Sequence, residues 1–166
     1  LKVPLKTAFQ HRHRLAVDGG DEFVKYKVSL RVAPNAQGVM DDSKRDVYGA
    51  DAFIEYRYRS LVLSNWLSVD KIDAEASPYG SFNYYSRINP YFRTHDVNGF
   101  IYQALGENTF NEMANPVYEE SLGSFHKMES YAIWNNFNAG YSFSGKLKIE
   151  GQFSFVRDHT KEDIYI

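Results

Sequence analysis

From Phe23 to Pro34 the chain alternates with period two: Val24, Tyr26, Val28, Leu30 and Val32 share one side, while Lys25, Lys27, Ser29 and Arg31 share the other. This predicts a strand with one apolar and one wet face. The phase recurs in Tyr48 to Tyr58, where Tyr48, Ala50, Ala52, Ile54, Tyr56 and Tyr58 oppose Asp51, Glu55 and Arg57. It recurs in Tyr131 to Phe143, where Tyr131, Ile133, Phe137, Ala139, Tyr141 and Phe143 oppose Asn136, Asn138 and Ser142, and again where Leu147, Ile149, Phe153 and Phe155 oppose Lys148, Glu150, Gln152 and Ser154. Less regular strands are predicted at Thr7 to Val17, Leu61 to Asp70, Ser81 to Arg93 and Phe100 to Leu105. The reading gives an all-β chain of about eight strands, with no helix.

Period two alone does not choose between a soluble β-sandwich and a transmembrane β-barrel, because either a second sheet or lipid can cover the apolar face. The connections separate them. Those at Asp18 to Asp21, Arg59-Ser60, Thr94 to Asn98 and Ser144-Gly145 are short; those at Asn35 to Asp46, Lys71 to Gly80 and Gly106 to Ser130 are long. Strict alternation of short and long links is expected of an up-and-down barrel with short turns on one side of a membrane and long loops on the other. The parity also predicts at least one strand before Thr7 outside this chain, since the first link is a short one. Ile164-Tyr165-Ile166 then reads as the start of a ninth strand.

Composition adjusts this picture only slightly. The chain of 166 residues carries a net charge of -2, with Lys and Arg scattered among acids, which gives no footprint for a nucleic-acid partner. No run approaches the roughly 18 apolar residues of a membrane helix, but barrel strands need only about 9–11 residues, apolar at alternate positions. The low mean hydropathy of -0.49, with 13 Tyr and 12 Phe, suits such strands. There is no Cys, hence no disulfide framework and no thiolate metal site.

Candidate chemistry is sparse. His11 and His13 share one strand face, but no third metal ligand can be assigned. Asp41, Asp42 and Asp46, and Asp70, Asp73 and Glu75, form acidic clusters expected in loops; neither has the oxygen-ligand order of a calcium loop, and solvated charge is the simpler reading. No nucleophile elbow, phosphate-binding loop, zinc-protease or dinucleotide motif occurs, so the chain is read as a non-enzyme without cofactor. The Lys25, Lys27 and Arg31 row could attract anions or pair with acids of a partner filling the barrel.

Several stretches, in order, resemble the early barrel of SusC/RagA-family TonB-dependent transporters from the outer membrane of Bacteroidota. They are Pro4 to Phe9 leading to His13, Asp18-Gly19-Gly20-Asp21-Glu22 with Tyr26, Gly38-Val39-Met40 before Ser43, and Tyr56-Arg57-Tyr58. Ser77 to Phe82, Arg87 to Arg93, Asp96-Val97-Asn98-Gly99, Asn115-Pro116-Val117-Tyr118 and Asn135-Asn136-Phe137 follow. Ala8 and Lys27 depart from the pattern, where Gly and a less basic residue are expected. The resemblance implies that residues 1–166 are part of a barrel of about 22 strands closed by a plug. The plug and the remaining strands lie outside this chain. It further implies import of a large nutrient, a glycan or oligopeptide, with a SusD-like surface lipoprotein and with energy delivered by the TonB complex through the missing N-terminal part.

On that view Phe82, Tyr84, Ile88 and Phe92 face lipid, whereas Tyr85, Arg87, Tyr91 and Arg93 face lumen or plug, with Pro90 interrupting the ladder. The external link Gly106 to Ser130 offers Phe110 and Phe125, with Tyr102 nearby, to substrate or lid. Two other readings remain open: a passive outer-membrane porin with an open polar lumen, and a soluble β-sandwich binding module.

Overall fold

The computed structural model describes residues 5–7, 9–35, 38, 40–106, 113–144 and 147–165. One antiparallel sheet dominates, with six strands in the order β1 (His13–Gly20), β2 (Val24–Ala33), β3 (Lys44–Tyr58), β4 (Leu61–Ala76), β7 (Phe125–Ser144) and β8 (Leu147–Tyr165). Between β4 and β7 the chain makes an excursion holding α1 (Phe82–Arg87), the two-residue strands β5 (Ala104–Leu105) and β6 (Met113–Ala114), and α2 (Pro116–Ser121). Among the described residues no helix is long and apolar enough to cross a membrane, a statement that does not bear on crossing by strands.

The sequence phase survives into the register. Leu15, Leu30, Ala50, Val69 and Ile133 form one row across five strands, and Val17, Val28, Ala52 and Leu67 form the next. Their side chains are half-buried or exposed, and none of the described elements covers them as a second sheet would. Within this apolar face Asn65 and Asn135 exchange two amide hydrogen bonds, of 3.2 and 3.1 Å. Each thereby satisfies a polar group that an apolar medium would penalise.

One row closes the apolar face on the side of the long links. It runs His13, Val32, Tyr48, Lys71, Tyr131, His159 across all six strands, with the Lys71 ammonium 5.2 Å from the Tyr131 ring centre. Past it the same face of the same strands turns ionic. Asp46, Asp73, Glu129 and Lys161 make the next row, then Lys44, Glu75, Lys127 and Asp163. Ion pairs stitch these rows: Lys44 to Asp46 at 2.9 Å, Lys71 to Asp73 at 3.0 Å and to Glu129 at 3.1 Å, Lys127 to Glu75 at 3.4 Å, and Lys161 to Asp163 at 2.8 Å.

These ionic rows correct several expected boundaries. β4 runs to Ala76 and β7 starts at Phe125, so most of one expected loop and the last six residues of another are strand. Ile164 and Tyr165 belong to β8 and not to a ninth strand. Asp73 and Glu75 are therefore strand residues, with Asp70 on the opposite face. The ladder persists where amphipathy ends, because backbone pairing does not require an apolar side. β1 spans His13–Gly20 instead of beginning at Thr7, and Gly20, at φ +144°, leads into the turn. A Cβ at Gly20 would sit 2.1 Å from the Val24 carbonyl oxygen, so only glycine fits that approach. The Asp21 carboxylate accepts from the Phe23 and Val24 amides at 2.8 Å each, and these bonds, Val24's foremost, hold its pKa below the usual carboxylate range.

The largest correction concerns Ser81 to Arg93, expected as a strand. Ser81 caps α1 by accepting from the Tyr84 amide at 3.1 Å, and the helix stops where Ile88 turns extended, two residues before Pro90. Phe100 to Leu105 contributes only a bridge between Ile101 and His95 and the short β5. With both expected strands absorbed, the sheet's links become 21–23, 34–43, 59–60, 77–124 and 145–146. Short and long still alternate, because removing a pair of strands leaves the parity intact.

Candidate functional site

The polar face of the sheet carries the densest side-chain network. Its central rows read Arg14, Arg31, Gly49, Asp70, Ala132, Asp158 and then Ala16, Ser29, Asp51, Ser68, Trp134, Val156. Asp51 accepts from its two row neighbours, Ser29 Oγ at 2.9 Å and Ser68 Oγ at 2.8 Å, both serines being buried. Arg31 reaches across β3 to Asp70 at 2.9 Å and touches Asp51 at 3.4 Å.

Gly49 makes that reach possible. It lies between Arg31 and Asp70 in the register, and a Cβ there would fall 2.5 Å from the Asp70 carboxylate and 2.9 Å from the guanidinium nitrogens. The small Ala132 follows on the far side of Asp70. Arg31 therefore finds two carboxylates within the sheet itself. Its Nε is buried without a partner among the described residues. Lys25 and Lys27, on the same strand, are exposed and make no ion pair among them.

Two indoles flank the network. Trp66, 57% exposed, and Trp134, 44% exposed, bound a hollow of about 380 Å³ together with Arg31, Asp51, Ser68 and Asp70. A second hollow of about 250 Å³ opens on the other side of Trp66, toward Arg14, Lys27 and Phe53. Flat apolar rings beside paired charges can stack on a ligand or on a protein segment. Sequence reading passed over Trp66 and Trp134. The signal was available, since they are the chain's two tryptophans and both stand in the polar phase of their strands.

The residues proposed from sequence lie elsewhere. Tyr85 and Arg87 are on α1, where burial pushes the Tyr85 phenol pKa up and Arg87 is exposed. Tyr91 is 90% exposed and Arg93 is exposed, both in the excursion; none of the four is on a sheet face, so the division of this stretch into lipid-facing and lumen-facing sides does not hold. Phe110 lies outside the described residues. Phe125, opening β7, stacks on Tyr165 with ring centres 5.7 Å apart, in the phase of the apolar face beyond its ionic rows.

The excursion is organised around Asn115, which is fully buried. Its side-chain amide donates to the Thr94 carbonyl at 3.0 Å and the Tyr102 carbonyl at 2.6 Å, and its side-chain oxygen accepts from the Val117 amide at 3.2 Å, capping α2. The Tyr84 hydroxyl donates to the Ala114 carbonyl at 2.9 Å, tying α1 to the same hub. Asp96 folds the neighbouring tip, accepting from the Asn98 and Phe100 amides at 2.8 Å each. Burial would raise its pKa, but these bonds outweigh burial and hold it below the usual range. The tip presents Val97, 90% exposed, and Phe100, 74% exposed.

His11 and His13 stack edge to face with ring centres 5.0 Å apart, and among the described residues no group of three His, Asp or Glu side chains is placed to hold a metal ion. No protein-family model matches the chain, and no curated protein matches it.

Proposed function

We propose that the six-stranded sheet is part of the wall of an outer-membrane β-barrel, with its apolar face toward lipid and its network face toward the lumen. The observation that carries this reading is the boundary row of His13, Tyr48, Lys71, Tyr131 and His159, amphipathic residues at five of six positions. Tyr and Lys are favoured where hydrocarbon meets headgroups, because ring or stem stays apolar while the tip stays wet. Toward the short turns Tyr26, Tyr56, Tyr58, Tyr141 and Phe143 supply a second aromatic zone on the same face. The longest apolar run, Tyr131 to Phe143, covers about 40 Å along the strand at about 3.3 Å per residue. Tilted by about 40°, it spans about 30 Å, the thickness of a hydrocarbon core.

A sandwich would bury this face under a second sheet. Among the described residues the only other sheet is the four-residue β5–β6 pair, which is no such cover. The alternation of short turns with long links on the ionic side further supports the barrel reading. Within that class we favour a SusC/RagA-type transporter importing a glycan or oligopeptide, with a SusD-like lid and TonB drive. The support is the ordered resemblance of the short stretches, several of which build the local structure of the excursion: Ser81 caps α1, Asp96 folds the tip and Asn115 caps α2.

The test exploits the lack of native cysteine. Single cysteines at Leu30 and Val69, and at Lys27 and Asn138, are labelled with an environment-sensitive dye in vesicles containing brominated lipid. Quenching is expected at the first two positions and not at the second two; equal behaviour of the two faces would end the membrane reading. A steady ion current through the native polypeptide in a planar bilayer would replace energised import with a passive pore.

A further inference from the structure

On the polar face, at the ionic end of the sheet, the register row Arg45, Ala74, Met128, Glu162 crosses β3, β4, β7 and β8. Ala76 follows Ala74 on the same face, opposite His126. Two alanines between longer neighbours leave a floor, and Gly38, Met40, Ser43 and the start of α1 border a hollow of about 420 Å³ above it. Met40, Phe82 and Met128 supply apolar walls, and Arg45 stands at the lining. Thioethers adapt to irregular apolar shapes.

The charges around this cavity are uneven. Lys44 is paired with Asp46, Lys127 with Glu75, and the carboxylate of Glu162 lies 3.6 Å from His126. Arg45 is half-buried, and its side chain makes neither an ion pair nor a hydrogen bond among the described residues. A half-buried guanidinium beside apolar walls is left short of the anion its planar fork matches. A single carboxylate satisfies it, whereas a phosphate dianion brings more charge than the apolar lining can solvate.

We propose that this cavity binds a small carboxylate with an apolar body, the carboxylate on Arg45 and the body against Met40, Phe82 and Met128. The site goes beyond import of a large nutrient and does not depend on it, since the cavity is formed by side chains at the sheet's end. Two sources share this chemistry: the C-terminal residue of a peptide and a short acyl chain.

Calorimetry on the full chain in lipid nanodiscs tests the site, using N-acetylphenylalaninate and hexanoate against their neutral partners, N-acetylphenylalanine amide and hexanol. The carboxylates are expected to bind about tenfold or more tighter than the neutral compounds, the advantage of a charge-assisted bond. Arg45→Gln should erase that preference, Arg45→Lys should keep part of it, and Ala74→Leu, which fills the floor, should weaken all four probes. Absence of a carboxylate preference in the unaltered chain, or a preference unchanged in Arg45→Gln, overturns the proposal. Should Arg45→Gln fail to fold, loss of binding in Ala74→Leu with retention in Arg45→Lys carries it, and the reverse pattern overturns it. The tighter of the two carboxylates then identifies the source.

Discussion

The sheet and the excursion at residues 77–124 are stabilised in opposite ways. In the sheet no single side chain is decisive. Order comes from strands up to 20 residues long and from one face that is mainly apolar over successive rows, Asn65, Asn135 and Arg157 excepted. In the excursion the helices have six residues each, too short to hold themselves together, and a few polar atoms fix the path. Asn115 alone joins Thr94, Tyr102 and Val117. A distributed pattern tolerates local exceptions such as Asn65 and Asn135; a hub does not tolerate its own loss.

The largest effect should come from breaking the distributed pattern well inside the apolar face. Leu67, two rows inside the boundary row, is flanked by Ala52 and Asn135. Leu67→Arg is expected to destabilise the chain folded into vesicles by about 2–4 kcal/mol, the cost of a cation near mid-bilayer. Urea unfolding from vesicles measures it. A loss under about 1 kcal/mol would mean that this face meets something other than lipid.

Asn115→Ala should rank next. It strands two carbonyls and uncaps α2, a cost of about 2–3 kcal/mol from lost hydrogen bonds and cap. The damage should stay in the excursion: hydrogen exchange at Val117 and Tyr118 should accelerate while the amides of β4 and β7 keep their protection. If the sheet loosens equally, the two regions form one cooperative unit, and the contrast drawn between them fails.

This contrast also explains what could be read from sequence. The strands of the sheet were visible because each row repeats one choice, apolar on one side and polar on the other, and repetition is what periodicity detects. It became silent at Lys71, Asp73 and Glu75, where charges take over the formerly apolar face while Ile72, Ala74 and Ala76 hold the other, and strand looks like loop. The aromatics of Ser81 to Arg93 misled in the other direction, imitating a strand with two apolar faces when the Ser81 cap sets a helix. The Asn115-Pro116 start of α2 was a legible signal, a capping side chain followed by proline at the first helical position. The network around Asp51 was not legible, because Gly49 acquires its meaning from Arg31 and Asp70 on two other strands.

A smaller effect probes the exception inside the apolar face. Asn135→Leu leaves Asn65 unpartnered and should cost about 1–2 kcal/mol, whereas Asn65→Leu together with Asn135→Leu should recover most of that loss. The double-mutant cycle in vesicles measures the coupling. Additive losses would show that the reciprocal amide pair is not what makes these residues tolerable there.

The smallest effect is a pH dependence confined to the tip of the excursion. Asp96 accepts from the Asn98 and Phe100 amides only as a carboxylate-type acceptor at full strength, and its folded pKa lies below the ordinary value of about 3.9. With the folded value depressed, the charged form's contribution is complete above the ordinary pKa and fades as pH falls through the lower folded one. Exchange of the Asn98 and Phe100 amides should therefore gain protection as pH rises from the lowered folded value up to the ordinary carboxylate value and level off above it, after correction for intrinsic exchange, and Asp96→Asn should flatten that profile. The Val117 amide is the internal control, since its acceptor Asn115 does not titrate. A parallel change at Val117 would mean that tip and hub open together, and that the excursion has one centre of organisation instead of two.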